Sequence, residues 1–135
     1  MKVLNISRCA LTPKAVAFLL SRGLAPSPEI RALSHLDLSE NHLGNEGTEA
    51  MCALLKIIAN VRGHLAILKL NRSHVDGRAL ASHLIALPSL TQLSLSGNAL
   101  SNNGTIGALA VTLRDREHPI HSLDLSSCGL TSEEV

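Results

Sequence analysis

Seven histidines and three cysteines are the residues here that could bind a metal or attack a bond, and their spacing decides whether they do. His42 and His74 stand 32 residues apart in matching surroundings, Leu36-Asp37-Leu38-Ser39-Glu40-Asn41-His42-Leu43 and Leu68-Lys69-Leu70-Asn71-Arg72-Ser73-His74-Val75. In adjacent parallel coils the two rings come to stand roughly 5 Å apart. Two imidazoles can begin a zinc site, but Ala10, Ala99 and Gly129 hold the equivalent positions elsewhere and add no ligand. The expectation is therefore exposed turn residues and no metal. His118 and His121 flank Pro119 in a loop. The chain contains no Gly-x-Gly-x-x-Gly, no phosphate-binding Gly-Lys-Ser/Thr loop, no His-Glu-x-x-His and no Cys-x-x-Cys. Its serines recur at strand and turn positions, where small polar groups are wanted. No catalytic residue and no cofactor is expected, and the chain reads as a non-enzyme.

The elements that position these residues come from one recurring pattern. It runs Leu4-x-Ile6-x-x-Cys9-x-Leu11, Leu36-x-Leu38-x-x-Asn41-x-Leu43, Leu68-x-Leu70-x-x-Ser73-x-Val75, Leu93-x-Leu95-x-x-Asn98-x-Leu100 and Leu123-x-Leu125-x-x-Cys128-x-Leu130. Successive copies lie 32, 32, 25 and 30 residues apart. Apolar residues at alternate positions make a short strand. The Asn or Cys that follows sits where the chain turns, and its side chain can serve backbone groups left open as the strand ends. Ser73 breaks the pattern with a shorter side chain, so the third unit is expected to be locally looser. No such unit buries its own apolar face, so neighbours must stack into a solenoid.

Helices complete the coils. Thr12 is an N-cap with Pro13 at the first helical position, followed by Val16, Leu19 and Leu20 on one face. Gly23 to Pro28 reads as a loop because its two prolines cannot continue a helix. Residues 47–58 carry Met51, Leu54, Leu55 and Ile58 at helical spacing. The third unit has room only for a short helix from Ala79 to Leu87, and the fourth runs from Gly104 through Leu113. The result is one α/β domain of about five repeats, 1–32, 33–64, 65–89, 90–119 and an incomplete 120–135. It is a right-handed horseshoe segment with parallel strands on the concave face and helices on the convex face.

Leu33 to Asn41 with Leu43 and Gly47, and Leu90 to Asn98 with Leu100 and Gly104, resemble the ribonuclease-inhibitor-like class of leucine-rich repeats. Leu36-Asp37-Leu38-Ser39 and His118 to Leu123 also resemble the CARMIL regulators of actin capping protein, which implies cytoskeletal regulators as partners but assigns no residue here to them. The same class includes Ran-type GTPase-activating proteins and the sensing arrays of intracellular immune receptors, so a regulator of a small GTPase and a ligand-sensing array are alternatives. The leading expectation is a protein-interaction or scaffold module.

Residues alternating with the buried leucines should face the concavity. They form three columns: Val3, His35, Ile67, Gln92, Ser122; then Asn5, Asp37, Lys69, Ser94, Asp124; then Ser7, Ser39, Asn71, Ser96, Ser126. Arg8, Glu40, Arg72, Gly97 and Ser127 follow at the turn. The candidate partner-binding residues are His35, Asp37, Glu40, Ile67, Lys69, Asn71, Arg72 and Gln92.

Hydrophobic residues are 45% of the chain, 26 of them leucines against one aromatic, Phe18, and the net charge is +1. Nothing in that balance favours nucleic acid. No apolar run reaches the ~20 residues of a membrane span. Cys9 and Cys128, four coils apart, stand ~20 Å from each other, too far for a disulfide. Free thiols suit a reducing, cytoplasmic location. Thr131-Ser132-Glu133-Glu134 announces a further helix. The array is thus expected to be part of a longer one, whose uncapped ends could self-associate.

Overall fold

A computed structural model describes residues 2–24, 26–84, 86–99, 105–116 and 119–126. Five strands, β1 (Lys2–Asn5), β2 (Leu33–Asp37), β3 (Ile67–Lys69), β4 (Gln92–Ser94) and β5 (Ser122–Asp124), lie side by side in chain order. Every pairing is parallel, with Leu4, Leu36, Leu68, Leu93 and Leu123 in register. The connections carry α1 (Pro13–Phe18), α2 (Gly44–Asn60), α3 (Gly77–Leu84) and α4 (Thr105–Asp115), and each helix packs on the next. Helices need 8–10 Å between axes whereas strands need about 4.8 Å, so the strand side is the concave one.

Between the layers lies an aliphatic core. Leu36, Leu38, Leu68, Leu70, Leu93 and Leu95 from the strand side meet Val16, Leu20, Met51, Leu54, Leu55, Ile58, Leu80 and Leu84 from the helices, all essentially inaccessible. The end coils have a described neighbour on one side only and are less covered: Leu4 and Ile6 are partly buried and Leu123 is 41% exposed. No described helix is long and apolar enough to cross a membrane.

The turn residues hold successive coils together. Asn41 accepts the amides of Cys9 (3.1 Å) and Leu11 (3.0 Å) on its Oδ1 and donates its Nδ2 to the carbonyls of Ile6 (2.8 Å) and Leu38 (3.2 Å). Asn98 repeats this with Ser73 N (3.0 Å), Val75 N (3.2 Å), Leu70 O (2.7 Å) and Leu95 O (2.9 Å). Ser73 does not loosen its unit as expected. It is fully buried and donates to the Leu38 and Asn71 carbonyls at 3.2 and 2.9 Å. The Leu43 amide, which an asparagine oxygen at this position could have taken, bonds the Ser73 main-chain carbonyl at 2.9 Å.

In three units the helix boundaries differ from the sequence expectation. The first unit stays helical through Leu24, because α1 widens into a π-helical turn at Leu19–Leu24; the prolines at 26 and 28 stop it only afterwards. α2 starts three residues early, at Gly44, whose φ of +59° lets the chain enter it tightly. α3 starts at Gly77 and ends at Leu84, since Asp76 Oδ1 accepts the amides of Arg78 (3.1 Å) and Ala79 (3.3 Å) as an N-cap. Thr12 caps α1 as expected, accepting the Ala15 amide at 3.2 Å. The capping box at 131–134 and Cys128 lie outside the described residues.

The ladder predicts a graded response. Asn98→Ala opens two amides and two carbonyls in a dry turn and should cost about 3 kcal/mol or more, whereas Ser73→Ala, which removes one hydroxyl donor, should cost roughly 1–2 kcal/mol. Urea unfolding of the two variants checks the order.

Candidate functional site

The columns inferred from alternation are those of the sheet. His35, Ile67, Gln92 and Ser122 are register partners, as are Asp37, Lys69, Ser94 and Asp124. At the carboxyl ends of the strands a cavity of about 450 Å³ opens, lined by Ser7, Arg8, Asp37, Ser39, Glu40, Lys69, Asn71, Arg72, Ser96 and Asp124. Five of the eight candidate residues (Asp37, Glu40, Lys69, Asn71 and Arg72) meet there. His35, Ile67 and Gln92 lie in the neighbouring column toward the strand starts, half-buried and outside the cavity.

Much of this polar surface has structural work. Asn5, Asp37 and Asp124 each accept the backbone amide two residues on, from Ser7 (3.0 Å), Ser39 (2.9 Å) and Ser126 (2.9 Å). These side chains close the turn after the strand. Bonds from the Ser126 amide and hydroxyl, and from the Ser94 hydroxyl, hold the Asp124 carboxyl below its ordinary range. Lys69 carries no acceptor for this turn and the Ser94 hydroxyl donates to Asn71 Oδ1 at 2.6 Å, so the previous coil supplies the acceptor. The Asn71 amide bonds Ser39 Oγ at 3.0 Å, and the Ser96 amide bonds Asn71 Oδ1 at 2.9 Å. Sequence reasoning read Asp37 as a contact residue and missed this duty. The recurring Asn/Asp-x-Ser at 5–7, 37–39 and 124–126 was the available signal.

Along the turn row Arg8, Glu40 and Arg72 adopt left-handed φ of 55°, 60° and 48°, where an L-residue is strained, and the fourth coil has Gly97 at 75°. Arg8 Nε donates to Glu40 Oε2 in an exposed ion pair that raises the Arg8 pKa. Arg72 lies across Gly97 instead: a Cβ there would come within 2.5 Å of Arg72 Cγ and 3.4 Å of its Nε.

The histidine pair stacks as expected, His42 on His74 with centroids 4.4 Å apart and planes tilted by 38°. Among the described residues no group of three or more His, Cys, Asp or Glu is placed to hold a metal. Cys9 and Cys52 are free thiols; burial, helped by Asp76 and Glu49, pushes the Cys52 thiol up to about 11, leaving it a poor nucleophile. Arg116 was not singled out from sequence. Its guanidinium is buried and donates to the carbonyls of Leu87 (3.1 Å) and Leu90 (2.7 Å) as well as Leu84, tying the fourth coil to the return segment of the third. Burial lowers its pKa.

A leucine-rich-repeat family model matches residues 31–52 and 86–106, ranges that contain β2 and β4. With the in-register parallel leucines, that match shows that this chain has a leucine-rich-repeat fold. Its leucine-rich repeats are similar to NACHT, LRR and PYD domains-containing protein 5 of Homo sapiens, at 36% identity over 105 residues covering 76% of this chain and 8% of the relative. The Bos taurus protein of the same name is 32% identical over 130 residues, 96% of this chain and 10% of the relative. NACHT, LRR and PYD domains-containing protein 14 of Mus musculus is 32% identical over 130 residues, 96% of this chain and 13% of the relative. The chain thus spans roughly a tenth of the length of these relatives.

Gly97→Ala should destabilise this leucine-rich repeat array by about 1–2 kcal/mol, the cost of a left-handed non-glycine residue, while Arg72 swings aside. Thermal unfolding of the variant, and of Gly97→Ala with Arg72→Ala, separates backbone strain from the side-chain clash.

Proposed function

We propose that this chain is a recognition segment that presents its concave strand face to another protein. The observation that carries the reading is the 450 Å³ polar cavity at the strand ends, where Asp37, Glu40, Lys69, Asn71 and Arg72 converge on a rigid sheet. His35, Ile67 and Gln92 extend the same surface toward the strand starts. A sheet whose register is fixed by buried leucines and turn bonds holds such side chains in place before binding, which lowers the ordering cost of association.

The relatives favour one of the alternatives. Their names record an LRR beside NACHT and PYD domains, so the segment acts as the sensing or scaffolding part of a larger multidomain protein. The alternation of strand and α-helix supports the ribonuclease-inhibitor-like class, and the free thiols Cys9 and Cys52 suit a reducing, cytoplasmic setting. The capping-protein and GTPase readings rest on motif resemblance alone.

Photo-crosslinking amino acids placed singly at His35 and Gln92 on the concave face, and at Glu49 and Lys56 on the exposed side of α2, test this in the full-length protein in cells. Adducts with a partner protein are expected from the two strand positions and not from the two helix positions. Adducts confined to the helix positions contradict the proposal.

A further inference from the structure

Eight of the ten side chains lining the concave cavity are already committed to bonds within the fold. Arg8 pairs with Glu40. Asp37 and Asp124 close their turns, and Ser7 bonds Asn5. Ser39 and Asn71 accept backbone amides from the next coil, and Ser96 accepts from Ser126. Lys69 and Arg72 have no such bond and no ion pair among the described residues.

The reason lies in the repeat register. Lys69 occupies the column whose other polar members serve the turn, but it carries no acceptor, and Ser39 of the preceding coil has taken over that task. Arg72 sits at the turn position where Arg8 finds Glu40 in the next coil. The residue one coil beyond Arg72 is Gly97, over which its side chain lies without a partner among the described residues. Two cations on the same short segment are therefore left over by the architecture, facing one cavity.

We propose that Lys69 and Arg72 form a receptor for a single carboxylate, an acidic side chain on an extended segment of a partner protein, flanked in that segment by basic residues. The flanks follow from charge. Asp37 stands one strand to one side of Lys69 and Asp124 two strands to the other, about 4.8 and 9.6 Å away. A segment crossing the strands with basic, acidic and basic side chains on one face meets negative, positive and negative in turn. The Ser96 hydroxyl and the Asn71 side chain complete a polar wall of the same cavity. This inference rests on the reading of the concave face as a recognition surface and adds the chemistry it selects.

The probe is the capped peptide Gly-Lys-Gly-Glu-Gly-Lys-Gly, whose charged side chains share one face when extended. It is titrated into the isotope-labelled protein while the backbone amides and the Arg72 Nε–H are followed by NMR. Saturable shifts are expected at Lys69, Asn71 and Arg72, weakening with added salt. Lys69→Met or Arg72→Met should each weaken binding by roughly tenfold, the usual scale for losing one charge-assisted contact. Neither variant should change the melting temperature appreciably, because neither side chain bonds another described residue. Equal binding of a peptide with Gln for Glu, or of the charge-reversed Glu-Lys-Glu peptide, overturns the proposal. Saturable shifts confined to His35, Ile67 and Gln92 also overturn it while leaving the concave-face reading in place. No saturable shift anywhere on the strand face at millimolar peptide removes it.

Discussion

A strand that ends by turning away from its sheet leaves amides and carbonyls with nowhere to go, and in this protein the next coil supplies their partners. Asn41 serves the turn of the first coil and Asn98 that of the third, each linking two amides on one side to carbonyls on both. Such groups cannot be left open in a dry interior, where each would cost about 1–3 kcal/mol. The turn bonds therefore do what leucine packing cannot. Burial is non-directional and tolerates small slips, whereas an amide oxygen shared between two N–H groups fixes the offset between coils.

With the offset fixed, the rest of the strand face follows. Leu36, Leu68 and Leu93 fall in line beneath the sheet, and the residues between them line up above it. Each concave side chain then has a set neighbour one coil on, and whether it is paired depends on which residue that is. Arg8 meets Glu40, and Arg72 meets Gly97. Strained left-handed φ angles at Arg8, Glu40 and Arg72 are kept because the turn geometry repeats whatever the residue.

The periodic part of this fold was legible in the sequence. Leu-x-Leu and the following turn residue gave strand order, parallel pairing, the concave columns and the His42–His74 stack, because each depends only on position within the repeat. What escaped depends on contacts between coils. The π-helical turn at Leu19–Leu24 carries the buried Leu20, and Asp76 moved the start of α3 by capping it. Ser73 looked like a weakness because its own bonding capacity is small, yet its hydroxyl bonds the Leu38 and Asn71 carbonyls and its main-chain carbonyl takes the Leu43 amide. The role of Asp37 was hidden by the assumption that an exposed charge on a binding face is there for binding. Arg116 left no periodic trace, since it acts on three carbonyls of one coil only.

The claim that neighbouring coils are locked through shared turn amides is tested most directly by amide hydrogen exchange, read by NMR on the unmodified chain. Ser73 and Val75 lie outside any strand or helix, and both donate to Asn98 Oδ1. The account predicts that these two amides exchange as slowly as those of the central strands, at Leu68 and Leu93. Exchange of Ser73 and Val75 at unprotected rates, with Leu68 and Leu93 still protected, would contradict it.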